Sequence, residues 1–248
     1  LLEAGQIMGI TIRIGISVGA RFRERNIRFI WVPRGFCDAR DFLSFLAEPA
    51  VRAFMDEERQ VSEYQKAYVI RLLDEFNRTH GPAINAAFGV ALPPLDPDDF
   101  LAFVGGGQAS VLHLAEFIHA RLLPLLEGSV AELKTRYAGA VGEERERLEA
   151  LVARMRELDS EAIVEQYLRP IHNPSLPDPN LPREGEEVPP LLRLAPHELM
   201  LMLDQLHAGY RICLNLSDLA VEDVLEILYD CRGMITHLEI FNLKDHVD

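Results

Sequence analysis

A chain of 248 residues can bury one large hydrophobic core or two small ones, and its 48% hydrophobic and 26% charged residues are those of a globular protein. The formal charge of −14 argues against a nucleic-acid backbone as the main partner. No apolar run is long enough to span a membrane and no signal peptide is visible, so a membrane-embedded role is not expected.

The first predicted element is a helix over residues 1–8, stopped by Gly9. Residues 10–18 alternate as a strand, 19–25 form a basic turn, and 26–32 form a second strand, together a hairpin. The cluster Arg21, Arg23, Arg25 and Arg28 reads either as a phosphate contact or as a solvated turn. Residues 33–38 form a loop, and 39–47 and 50–78 are helical. Tyr64, Tyr68, Leu72 and Phe76 recur every four residues, a stripe facing a core. Thr79-His-Gly-Pro82 is expected to break that helix. A turn at 93–99 leads into a short helix over 98–104.

Gly105, Gly106 and Gly107 follow, readable as a phosphate cradle or a plain joint; no Lys-Ser/Thr pair follows them, so they do not form a P-loop. A helix over 109–126 carries His113 and His119. Residues 143–158 alternate charge sign over a Leu/Val/Met stripe, an exposed helix that is structural or partner-facing. The Pro-rich stretch 171–190 reads as an extended linker. A helix over 196–207 has Leu199, Met202, Leu203 and Leu206 facing inward.

The end of the chain reads as a βαβ unit. Residues 211–217 form a strand, and 221–231 form a helix with Asp218 as N-cap and Val221, Val224, Leu225 and Leu228 inward. Gly233 stops the helix, and residues 235–242 form the second strand. Asn215 and Ser217 end the first strand; Glu239 and Asn242 end the second, where chemistry gathers in α/β folds. Glu239 is either a ligand or base, or an acid bonded to backbone amides. His237 falls on the same side of the strand. The cysteines Cys37, Cys213 and Cys231 lack metal-ligand spacing, and their odd number without a disulfide framework points to a reducing, cytoplasmic setting.

This order of pieces resembles the polymerase-and-histidinol-phosphatase (PHP) superfamily of metal-dependent phosphoesterases. Residues 2–28 resemble its helix, Gly-Ile-Glu strand and His-bearing hairpin strand. Val104-Gly-Gly-Gly107 with Ser110-Val-Leu-His-Leu-Ala115 is similar to its Gly-rich joint and Arg-Pro-His-Ile-Ala segment. Residues 199–217 resemble its Leu-Ala-His-Pro strand, and 224–242 its Gly-Ile-Glu-Val-Tyr-Asn strand.

The resemblance implies an α/β fold: a partial, distorted (β/α) barrel over 1–126 and 191–248, with 127–190 as a helical insertion and linker. It also implies a metal cluster held at strand ends. His113 and Glu239 match ligand positions. Ser17, Arg28 and Asn215 stand where the family has Glu, His and His, and an always-protonated Arg cannot ligate a metal. The family's opening His-x-His would precede Leu1 and its closing Asp-x-His would follow Asp248, as in a piece of a longer protein.

The expected function is therefore a domain without phosphoesterase activity in this segment. It would bind a phosphorylated ligand or a protein partner through Arg28, Asn215, Ser17 and Asn242. The alternatives are an active phosphoesterase using Zn, Mn or Fe with ligands outside the segment, a structural or oligomerising module built on 127–190, and an unrelated phosphate-binding barrel.

Overall fold

The structure, a computed structural model, describes residues 2–10, 12–23, 25–176, 179, 188–216 and 219–239. The chain runs α1 (Leu2–Met8), β1 (Ile16–Phe22), β2 (Arg25–Pro33), α2 (Ala39–Leu46) and α3 (Pro49–Glu75), then α4 (Gly81–Phe88), α5 (Pro97–Val104), α6 (Val111–Gly139), α7 (Glu143–Arg156) and α8 (Ser160–Ile163). It closes with α9 (Pro196–Leu206), β3 (Tyr210–Asn215), α10 (Val221–Asp230) and β4 (His237–Glu239). These elements make two compact units, Leu1–Val61 with Asn180–Asp248, and Ser62–Pro179. Residues 62–126 and the described part of 127–176 thus pack as one body.

The first unit is a mixed α/β body around an open four-stranded sheet of order β1-β2-β3-β4. β1 and β2 form the expected antiparallel hairpin, starting at Ile16 rather than residue 10. β2 pairs antiparallel with β3, and β3 parallel with β4 through α10, the expected βαβ unit. Only one pair in the described sheet is therefore parallel. Alternation puts Val18, Ala20, Phe22, Ile27, Phe29 and Trp31 on a buried face, continued by Ile212 and Leu214. Trp31 meets the edges of Phe45 and Phe54 at 6.0 and 6.1 Å.

Two inward stripes differ in part from expectation. On α9 Pro196, Leu199, Met200 and Leu203 are buried, and Met202 and Leu206 half-buried. On α10 Asp223 and Ile227 are buried and Val224 and Leu228 half-buried, while Val221 and Leu225 are exposed. Asp223 turns in to meet Arg23 at 2.7 Å and Arg25 at 3.5 Å, which puts a charged residue on the buried face. The helix starts on Ala220, whose N–H donates to Asp223, and the expected cap Asp218 lies outside the described residues.

The second unit is helical, its core running from Tyr68, Leu72 and Phe76 to Leu114, Ile118 and Ile163. Thr79-His-Gly-Pro82 does not break the chain's helical path. A π turn over Phe76–His80 is closed by Gly81 N–H donating to the Phe76 carbonyl, and α4 continues from it. Pro82 follows directly and cannot donate to the preceding turn, and the π turn ahead of it accommodates the missing hydrogen bond. α6 likewise runs past residue 126 to Gly139, with Pro124 inside it.

Candidate functional site

The face of the sheet opposite the core carries the residues of interest. Ser17 pairs with Ile30, Ile30 with Cys213, and Cys213 with His237. The next row begins with Gly19 paired to Arg28. One step beyond the Phe29–Leu214 pair, Arg28 stands opposite Asn215, which pairs with Glu239. The structure thus gathers Ser17, Arg28, Asn215 and Glu239 on one face, from strands nearly 200 residues apart in sequence. Asn215 Nδ2 donates to Glu239 Oε2 at 3.0 Å. The Glu239 carboxylate is thus bonded to a side-chain amide.

The arginines of the hairpin divide into two roles. Arg23 is paired with Asp223 and Glu226, and Arg25 with Asp223, so both fasten the turn to α10. Arg28 is exposed and has no carboxylate within ion-pair reach among the described residues.

A second cationic group was missed in sequence. A Cβ placed on Gly15 would come within 2.6 Å of Ile30 and 3.5 Å of Val32, which fixes Gly15 over β2 on the open face. Arg13 precedes β1 and Arg34 follows β2, each near enough for their charges to interact, and Arg211 pairs with Val32 on the same face. The Arg211 charge, then partial burial, then the Arg13 charge hold the Arg34 guanidinium below its ordinary pKa. The Arg34 backbone is pinned by its N–H donating to Gly209 O at 2.7 Å and its carbonyl accepting from His207 Nε2 at 2.6 Å. The signal available in sequence was the strand parity of Arg28 and Arg211; the register that unites them was not.

Other candidates have local duties. His113 lies in the second unit, in the first turn of α6; Ser110 Oγ accepts from its N–H and lies 3.1 Å from its Nδ1, an N-cap that also fixes the imidazole. Gly105, at φ +67, caps α5, its N–H donating to Leu101 O. Burial and the neighbouring Glu239 charge push the Cys213 thiol up, the wrong direction for a nucleophilic thiolate. Asn242 and Ser217 lie outside the described residues. Among the described residues, no three His, Cys, Asp or Glu side chains are placed to hold a metal ion. No described helix is long and apolar enough to cross a membrane.

No family model matches the chain, and no curated protein matches it. A crystal structure from Bifidobacterium adolescentis, described as "a putative metal-dependent phosphoesterase", is similar at 11% identity and a TM-score of 0.48, over 96% of this chain and 60% of that one. The chain therefore spans less than two thirds of that structure's chain. A likeness at that level assigns neither a fold family nor a chemistry; what the coordinates define is a mixed α/β unit with an arginine-bearing open sheet face.

Proposed function

We propose that this chain is a divergent PHP-like domain, a partial barrel with a helical insertion, that binds a phosphorylated ligand on the open face of its sheet without hydrolysing it. One observation carries the reading. In a chain of net charge −14, Arg28 and Arg211 on one sheet face, with Arg13 and Arg34 beside its strand ends, have no carboxylate partner among the described residues. A guanidinium fork suits phosphate oxygens in two-point hydrogen bonds. Asn215 and Ser17 flank Arg28 with neutral groups for the remaining oxygens. Glu239, bonded to Asn215, orients that amide and discourages a more highly charged ligand at its end of the row.

A second reading, an active metal-dependent phosphoesterase completed by ligands outside this segment, draws on Glu239 at the carboxyl end of the parallel strand β4.

p-Nitrophenyl phosphate separates the two. Titration calorimetry should show saturable binding, weakened about tenfold or more in Arg28→Gln, with p-nitrophenol failing to compete. Binding indifferent to Arg28→Gln would overturn the proposal. Release of p-nitrophenol with added Mn²⁺ by a longer form of the protein would establish the second reading instead.

A further inference from the structure

A cavity of about 310 Å³ lies between α6 and α7 in the second unit, lined by none of the sheet-face residues. Its α6 wall is Val130, Leu133, Lys134 and Tyr137, spaced i, i+3, i+4, i+7, so that one helix face lines it. On α7, Leu148 and Val152 complete an apolar floor, and the small Ala153 leaves the space open.

The charged groups at its rim are unevenly engaged. The Glu149 carboxylate accepts from Tyr137 Oη and lies 3.6 Å from Arg145 Nε, which itself donates to Tyr137 Oη at 2.7 Å. The Arg145 guanidinium also covers the Tyr137 ring at 4.5 Å. Lys134 and Arg156, one on each helix, line the same cavity and have no anionic partner among the described residues. The cavity therefore presents an apolar floor, one anion already neutralised, and two available cations. Its volume stands at the small end of ligand pockets, which run from ~300 to 1,000 Å³.

We infer that this cavity binds a small amphipathic anion, with its hydrocarbon body on Leu133, Leu148 and Val152 and its acidic head between Lys134 and Arg156. The site is independent of the sheet face. Octanoate, octylammonium and octanol share a body and differ in head charge, so they test the head and the floor separately. Octanoate should saturate at one site per chain and shift backbone resonances within residues 130–156, with octylammonium and octanol at least about tenfold weaker. Lys134→Gln with Arg156→Gln should bring octanoate to the level of octanol, and Ala153→Trp, on an exposed helix position, should abolish binding of all three with helicity unchanged. Equal affinity for octylammonium, no saturable binding of octanoate, or octanoate binding untouched by Ala153→Trp would overturn the inference.

Discussion

Asn215 and Glu239 stand side by side on parallel strands, the carboxamide Nδ2 donating to the carboxylate Oε2 across 3.0 Å. The bond sets the charge of that end of the sheet face at minus one. Asn215→Asp would place two carboxylates in contact, and both cannot remain ionised without cost. The folded-state pKa of the pair would then be raised, so the native state would hold a proton that the unfolded chain releases. The penalty, about 1–2 kcal/mol, is present near neutral pH and is lost as pH falls toward about 4. Urea unfolding of Asn215→Asp should show it at pH 7 and little at pH 4; an equal loss at both would mean that shape, not charge, sets the contact.

Arg23 takes φ +54 in the hairpin turn, a left-handed conformation that costs a side-chain-bearing residue about 1 kcal/mol or more. Glycine would relieve that cost. It would also remove the contact with buried Asp223, leaving Arg25 at 3.5 Å and the Ala220 N–H as its partners. Breaking a buried pair costs about 3–5 kcal/mol, a figure reduced here because Arg23 itself is exposed. Arg23→Gly should thus be less stable by about 1–2 kcal/mol, and Asp223→Ala should lose the cap as well and fall further. A higher urea midpoint for Arg23→Gly would show that backbone strain outweighs the pair.

The hairpin and the βαβ unit were legible in sequence because a two-residue period and short connections write them locally. The site was legible as residues and not as an arrangement. Arg28 and Asn215 meet only through β2–β3 pairing, a register set by packing of Phe29 and Trp31 against Leu214 and Ile212. Arg211 went unread for the same reason. The helical stripe of α10 missed Asp223, polar in the sequence pattern and turned inward to its ion pairs. Thr79-His-Gly-Pro82 read as a break because Gly and Pro usually punctuate; here the π turn absorbs the mismatch before them.

Asn173 is fully buried and joins the two π turns of the second unit. Its Nδ2 donates to Tyr167 O at 2.7 Å and Arg169 O at 3.0 Å, and its Oδ1 lies 3.1 Å from His80 Nε2. Asn173→Ala would leave the Tyr167 carbonyl and a ring nitrogen wanting partners, while the Arg169 carbonyl keeps the His172 N–H, a loss of about 2–3 kcal/mol. The Gly81 and Arg169 amides close the two π turns, so amide exchange at both should quicken together in the variant. Quickening at Arg169 alone would show that His80 holds its turn without the asparagine.

Glu58 in α3 offers a pH test independent of any ligand. Burial, then the charge of adjacent Glu57, raise its pKa from 4.5 to about 7. The folded chain therefore binds this proton more tightly than the unfolded one. Below about 4.5 both states are protonated and the group contributes no penalty; as pH rises from there to about 7 the unfolded state releases the proton first, and stability falls. Above that window the penalty is constant. Full conversion of the shift would overstate it, because the side chain is only half-buried; discounted for solvent, about 1–2 kcal/mol remains. Glu58→Gln should then match the parent near pH 4, exceed it by that amount at pH 8, and lose the slope between them. Urea midpoints measured across this range decide the matter: a parent curve without a fall between 4.5 and 7 would place the Glu58 carboxylate in water and remove the burial on which the shift depends.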